Sequence, residues 1–420
     1  MTSLGLAILL MGVAFVVATL LYPYVLAFAR RRNIVDNPSA RKLQRIPVPV
    51  MGGTVVFLGL LLAAHIGYIF VSDPNIPKII ALLAVMYIIG VWDDIKDVSA
   101  AFRFMVELVV VWLMIFMLGV EINDLHGLWG IHEIPDVVSV PLSLIAGVGI
   151  MNAINLIDGV DGYCSTFCVM ACAAFAVIFY NAGDMTMFAT ALITIGAVIP
   201  FFFHNVFGRT SKMFMGDGGS LMLGTLLALF VFSTLSKDSA CAKYGDQGIS
   251  LTALALAILA VPVFDTLKVM IARMVRGQSP FHPDKTHLHH LFIDLNFSHI
   301  ATSGAIVFGN VVIVSILLLS WGLGASINVQ NYIVIAAALL FTWGFYFFMV
   351  GEQRKNYGEG SLLFQAAAKR GKATNFSRTA TWLFIRKVVD SRFLGQGFMR
   401  VNLEPKSEVK KKSRPDPRVQ

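Results

Sequence analysis

Leu4-Gly-Leu-Ala-Ile-Leu-Leu-Met-Gly-Val-Ala-Phe-Val-Val-Ala-Thr-Leu-Leu-Tyr-Pro-Tyr-Val-Leu-Ala-Phe-Ala29 carries no charge and runs straight into Arg30-Arg31-Arg32. A hydrocarbon core about 30 Å thick takes about 20 residues of helix to cross. A signal peptide would have a positive n-region, a shorter apolar core and a small-residue cleavage site. No Lys or Arg precedes this run, so it reads as a retained first membrane helix.

The same pattern recurs along the chain. Further spans are expected at 50–72, 77–92, 103–120, 138–157, 163–181, 185–204, 218–236, 250–271, 301–323 and 330–350, which with 4–29 makes about eleven. The runs are continuous rather than alternating, so helices are expected and not a β-barrel. Composition agrees: the 420 residues are 57% hydrophobic and only 14% charged, against roughly 25% charged in soluble domains. The expected fold class is an all-α polytopic membrane protein. Cys164, Cys168 and Cys172 fall on one helical stripe and Cys241 stands apart, so no disulfide framework is implied.

Lysine and arginine set the orientation, because they favour cytoplasmic loops. Thirty of the 33 follow odd-numbered spans, and only Lys78, Lys237 and Lys243 lie on the other side. The N-terminus is therefore expected outside and the C-terminus in the cytoplasm. The net charge of +8 follows from this bias and does not call for nucleic acid. Residues 1–350 form the expected transmembrane catalytic domain, with cytoplasmic loops 30–49, 93–102, 158–162, 205–217 and 272–300. Residues 351–420 form a basic cytoplasmic tail, in which Thr381–Arg392 has the makings of an interfacial helix.

Four unusual clusters fall on the expected cytoplasmic side. Asp93-Asp94-Ile95-Lys96-Asp97 places three carboxylates within five residues, which repel unless a cation compensates. In Asn152-Ala-Ile-Asn155-Leu-Ile-Asp158-Gly159-Val-Asp161-Gly162, residues 152, 155 and 158 share one helical face at the end of an apolar span. Polar groups there are costly and usually functional. Phe214-Met-Gly-Asp217-Gly-Gly-Ser220 joins a glycine-rich helix start, which favours phosphate, to an aspartate suited to a divalent cation. The fourth cluster, Ser279-Pro-Phe-His282-Pro-Asp-Lys285-Thr-His287-Leu-His289-His290, lacks cysteine and mixes His with basic residues. It fits phosphate donors better than zinc. Together they describe a site for a metal–diphosphate ligand at a membrane surface.

These blocks resemble the polyprenyl-phosphate N-acetylhexosamine-1-phosphate transferases over roughly residues 1–350, and the HxHH form is similar to the branch that uses undecaprenyl phosphate and N-acetylglucosamine. One departure is Gln44, where many members carry His; Arg41 and Lys42 remain. The resemblance implies transfer of N-acetylglucosamine-1-phosphate from UDP-N-acetylglucosamine to undecaprenyl phosphate, with release of UMP. It implies Mg²⁺ or Mn²⁺ as cofactor, the bacterial inner membrane as location, O-antigen or related envelope polysaccharide synthesis as pathway, and a homodimer as assembly. By the same resemblance Asp217 is the main metal ligand, with Asn155 second. Lys42, Arg103, Asn152, Phe214, His287, His289 and His290 bind substrate, and Asp158 and Asp161 belong to the catalytic set, with Asp161 where the family reads the nucleoside. Asp93 and Asp94 match an essential pair that either organises the metal or acts as base. Another UDP-N-acetylhexosamine donor keeps the same chemistry. An ion-coupled transporter would instead place acids near the bilayer midplane.

Overall fold

The computed structural model describes residues 3–37, 46–279, 286–295, 297–355 and 380–394. The first eight long helices are α1 (Ser3–Arg31), α2 (Gly52–Val71), α3 (Asn75–Lys96), α4 (Ala100–Leu118), α5 (Asp136–Leu156), α6 (Tyr163–Ala182), α7 (Met185–Phe207) and α8 (Gly216–Leu235). After the short α9 (Ala242–Asp246) come α10 (Leu251–Ile258), α11 (Ala260–Val275), α12 (Leu288–Asp294), α13 (His299–Gly322), α14 (Ile327–Leu339) and α15 (Phe345–Lys355). A π-helical stretch over Leu340–Gly344 joins the last two. Among the described residues ten helices are long and apolar enough to cross a membrane, and α10 with α11 forms an eleventh, broken span. Among the described residues sheet is confined to two small antiparallel pairs, Val35–Asp36 with Val48–Pro49 and Asp124–Leu128 with Ile131–Glu133.

The span expected at 250–271 is present as a broken one. α10 and α11 meet at Leu259 with a bend of 76°. Pro262 has no N–H to return to the carbonyl one turn back, so the ladder opens there. Asn310 of α13 fills the gap. Its Nδ2 donates to the carbonyls of Ala257 (3.1 Å) and Ile258 (2.9 Å), and its Oδ1 accepts from the Val261 N–H (2.9 Å). A break inside a membrane persists only when such partners satisfy the freed backbone.

α8 is the axis of the bundle. Every residue of it except Asp217 is buried, and it packs against α2, α3, α5, α6 and α10. Apolar helices gain little from hiding in one another when lipid is equally apolar, so close packing through small residues drives their contact. Gly90 of α3 shows this: a Cβ there would collide with the Asp217 backbone carbonyl. The outcome is that the end of α3 lies directly against the start of α8.

The tail is not wholly separate from the bundle. Ala380–Leu394 forms a helix, α16 here, that docks on the end of α7. Trp382 packs on the Phe207 ring with centroids 4.6 Å apart. Leu383, Phe384 and Val388 stay exposed.

Candidate active site

The ends of α3 and α5, the start of α8, the α7–α8 loop and α12 converge at one end of the bundle. They enclose a cleft of about 830 Å³. Its floor is the first turn of α8. Gly216 has φ +77°, a conformation that a side chain rarely adopts, and a Cβ there would lie 2.6 Å from Asp94 Oδ2. Asp94 Oδ1 accepts from the Asp217 N–H (2.9 Å) and Asp94 Oδ2 from the Gly218 N–H (3.2 Å). Asp158 Oδ2 accepts from the Gly216 N–H (3.2 Å). The glycine-rich helix start, expected to cradle phosphate, therefore spends these amides on two carboxylates of its own chain. The positive end of the helix attracts either kind of anion, and α3 and α5 deliver theirs first.

Asp217 rises from this floor. Its Oδ1 accepts from Asn155 Nδ2 (2.6 Å), which also donates to Ser220 Oγ (2.9 Å). Asp94, Asp158 and Asp217 thus crowd a single helical turn. Asp93 stands beside them, accepting from the Val98 N–H (2.8 Å) and pairing with Arg103 (3.1 Å). Arg103 also reaches Glu107 (3.5 Å), which is buried and accepts from Asn152 Nδ2 at 2.6 Å.

The chemistry of this donor set fits a hard divalent cation. All its donors are oxygens, and like charges this close need a compensating cation. Among the described residues no three acidic, His or Cys side chains form a ready-made cage. Mg²⁺ does not ask for one, since it is commonly held by one or two carboxylates plus substrate phosphates and water. Asp217 with the Asn155 carbonyl would supply the protein's share.

A second wall is aromatic and basic. Lys212 Nζ lies 2.6 Å from Asp161 Oδ2 and 5.6 Å from the centre of the Phe214 ring. His299 Nδ1 meets the same carboxylate oxygen at 2.9 Å. Burial pushes the Asp161 pKa up, but the His299 hydrogen bond and the Lys212 charge outweigh it and hold the group below the usual carboxylate range. Phe214 is fixed through its backbone: its N–H donates to the Pro49 carbonyl and its carbonyl accepts from the Gly52 N–H, each at 2.8 Å.

The third wall is histidine. Asp265 of α11 accepts from Lys268 Nζ (2.6 Å), pairs with His287 Nδ1 (2.9 Å) and caps α12 through the Leu288 N–H (3.1 Å). His287 and His289 stack with centroids 5.6 Å apart and are both buried. Burial first, then the neighbouring His290 and His287, push the His289 pKa well below its ordinary value, so its ring is neutral.

A model of glycosyl transferase family 4 matches residues 76–235, which span α3 to α8 and most of this site. The probable undecaprenyl-phosphate N-acetylglucosaminyl 1-phosphate transferase of Bacillus subtilis (strain 168) is 30% identical over 293 residues, covering 68% of this chain and 78% of the relative. The undecaprenyl-phosphate alpha-N-acetylglucosaminyl 1-phosphate transferase of Escherichia coli (strain K12) is 28% identical over 291 residues, covering 68% and 76%. The protein of that name from Yersinia pestis is 28% identical over 272 residues, covering 63% and 71%. The chain belongs to this family of polyprenyl-phosphate sugar-1-phosphate transferases.

Within the transferase, the residues singled out by sequence fall into two ranks. Asp93, Asp94, Asn155, Asp158, Asp161, Phe214, Asp217 and His290 line the cleft. Asn152 does not: it bonds the buried Glu107 behind Asn155. His287, which pairs with Asp265, and His289 are both buried and do not line the cleft, whereas His290 does. Arg103 stands at the edge with its guanidinium engaged by Asp93 and Glu107. Lys42 lies outside the described residues. Glu107, Asp265, Lys268, Lys212 and His299 were missed. Glu107 and Asp265 had a usable signal, each being an acid embedded in an apolar run. Lys212 and His299 had none, since their partner Asp161 is distant in sequence.

Proposed function

We propose that the transferase moves N-acetylglucosamine-1-phosphate from UDP-N-acetylglucosamine to undecaprenyl phosphate, with Mg²⁺ or Mn²⁺ as cofactor. In this reading the cleft faces the cytoplasm at the bacterial inner membrane, in keeping with the charge bias of the loops. The reaction opens a lipid-linked envelope polysaccharide such as O-antigen. The observation that carries the proposal is Asp217, oriented by Asn155 and ringed by carboxylates, at the mouth of a bundle whose outer surface is apolar.

An oxygen of the lipid phosphate attacks the β-phosphorus of the donor. The bond from that phosphorus to the bridging oxygen breaks, and UMP leaves with the electron pair. A phosphate monoester has a second pKa of about 6 and is largely dianionic at neutral pH, so its attacking oxygen has no proton to remove. This favours positioning roles for Asp93 and Asp94 over base catalysis, as does their geometry: Asp93 is paired with Arg103 and Asp94 caps α8. A divalent cation held at Asp217 supplies charge neutralisation for the diphosphate and the departing UMP. Lys212, Phe214 and Asp161 suit the nucleotide half, because an aromatic face stacks a base and fixed polar groups read its edge. Arg103 and His290 offset the approach of two anions.

Purified protein, undecaprenyl phosphate, Mg²⁺ and a panel of UDP-sugars test the reading through UMP release. The expected result is release with UDP-N-acetylglucosamine above other UDP-N-acetylhexosamines. Absence of release with every donor overturns it.

A further inference from the structure

The loop between α7 and α8 delivers Lys212 and Phe214 to the cleft. Its Phe214 end is held by Pro49 and Gly52, and its Arg209–Ser211 turn is held by partners from distant helices. A buried backbone donor or acceptor has to be satisfied by some partner. On one side of the loop, α1 does this. Tyr22 Oη donates to the Ser211 carbonyl (2.8 Å) and Arg30 donates to the Thr210 carbonyl. Tyr22 is itself fixed by stacking on His204, with centroids 3.9 Å apart.

The other side is served by the tail. Asp390 of α16 accepts from the Arg209 N–H (3.2 Å), the Ser211 N–H (3.1 Å) and Ser211 Oγ (2.8 Å). Arg386 donates to the Phe207 carbonyl (3.3 Å), where α7 ends. Asp390 is only 6% exposed and Ser211 is fully buried, so water does not readily replace these bonds. The next residue after Ser211 is Lys212. A displacement of the turn is therefore passed directly to the Lys212–Asp161 pair. α16 lies beyond the residues that the family model matches.

We propose that α16 is a clasp on the nucleotide wall, with Asp390 as a positioning residue that sets Lys212 against Asp161 and so tunes affinity for the nucleotide half of the donor. The inference rests on the proposed function for the identity of that nucleotide.

The test uses full-length protein and three readouts. In steady-state assays Asp390→Ala should raise KM for UDP-N-acetylglucosamine about fivefold to tenfold, the scale of one lost charge-assisted contact. The expected kcat and the KM for undecaprenyl phosphate stay within about twofold of wild type, because the carboxylate wall is untouched. Asp390→Asn, which retains an acceptor for the Ser211 N–H, should fall between and carries the test if the alanine variant fails to accumulate in membranes. Added to Lys212→Ala, Asp390→Ala should cost little more, since both act through one contact. An unchanged donor KM, an equal fall in all parameters, or additivity with Lys212→Ala overturns the clasp. UMP affinity measured by calorimetry separates the two claims. Wild type that binds UMP without turning over any UDP-sugar sinks the proposed function, whereas UMP affinity unaffected by Asp390→Ala sinks the clasp.

Discussion

Two walls of the cleft are built on opposite plans. The carboxylate wall is assembled from α3, α5 and α8, helices held by close backbone packing, and its acids are fixed by the amides at the start of α8. The histidine wall rests on one buried ion cluster, Asp265 with Lys268 and His287, and among the described residues of that loop it presents His290 to the cleft. The first plan gathers several carboxylates on helix-start amides and the Arg103 guanidinium, an all-oxygen donor set that would suit a cation. The second compensates the charge of Asp265 internally, through Lys268 and His287. A cluster that looks catalytic in sequence can therefore be mostly foundation.

Substitution at the two walls should separate those plans. If Asp217 holds the cation as proposed, Asp217→Asn is expected to lower kcat by about a thousandfold or more, since several kcal/mol of charge stabilisation would go with it. Thermal unfolding of that variant should stay close to wild type. Activity near the wild-type level would break the assignment of the carboxylate wall. The opposite signature is expected at Asp265. Asp265→Ala removes the carboxylate shared by the buried Lys268 and His287 and should cost about 3–5 kcal/mol of stability, read by thermal or denaturant unfolding. A stable but inactive Asp265→Ala would mean that the acid works on substrate instead.

The histidines sharpen the comparison within one wall. His290→Ala should reduce kcat/KM about tenfold to a hundredfold without loss of stability, while His287→Ala should act chiefly on stability, by about 1–3 kcal/mol. Equal kinetic losses at both positions would contradict the split. A smaller effect is expected from Glu107→Gln, which keeps a partner for Asn152 and removes the charge beside Arg103. A fall in kcat of about twofold to fivefold is anticipated, on the scale of one partly screened contact. A loss matching that of Asp217→Asn would promote Glu107 to the reacting centre.

The smallest effect concerns pH. Asp161 has a depressed pKa in the folded protein, so its stabilising contribution is fully present above the ordinary carboxylate value and is lost as pH falls through the depressed one. Asp161→Asn should therefore lower the melting temperature at neutral pH, with the gap from wild type closing only in strong acid. A gap that closes already near pH 6 would assign the dependence to another group, such as a histidine with its ordinary value of about 6.5.

The sequence by itself determined the membrane class, the helix count and the blocks that build the cleft. These signals are local: uncharged runs of about 20 residues report spans, and Asp or Asn at a span end reports an interfacial site. It also singled out Asn155 and Asp217, which both line the cleft. Tertiary structure alone decided the rest. The bend within 250–271 is held by Asn310, which arrives from α13 to satisfy the freed carbonyls. The close spacing of His287, His289 and His290 does not show that His287 pairs with Asp265 and that His287 and His289 are buried. Asp390 carries no signal at all, since its partners Arg209 and Ser211 lie about 180 residues away in the chain. Spans and helix ends are set by neighbours in sequence. Which carboxylate meets a cation, a lysine or a helix start is set by packing, and no local pattern records it.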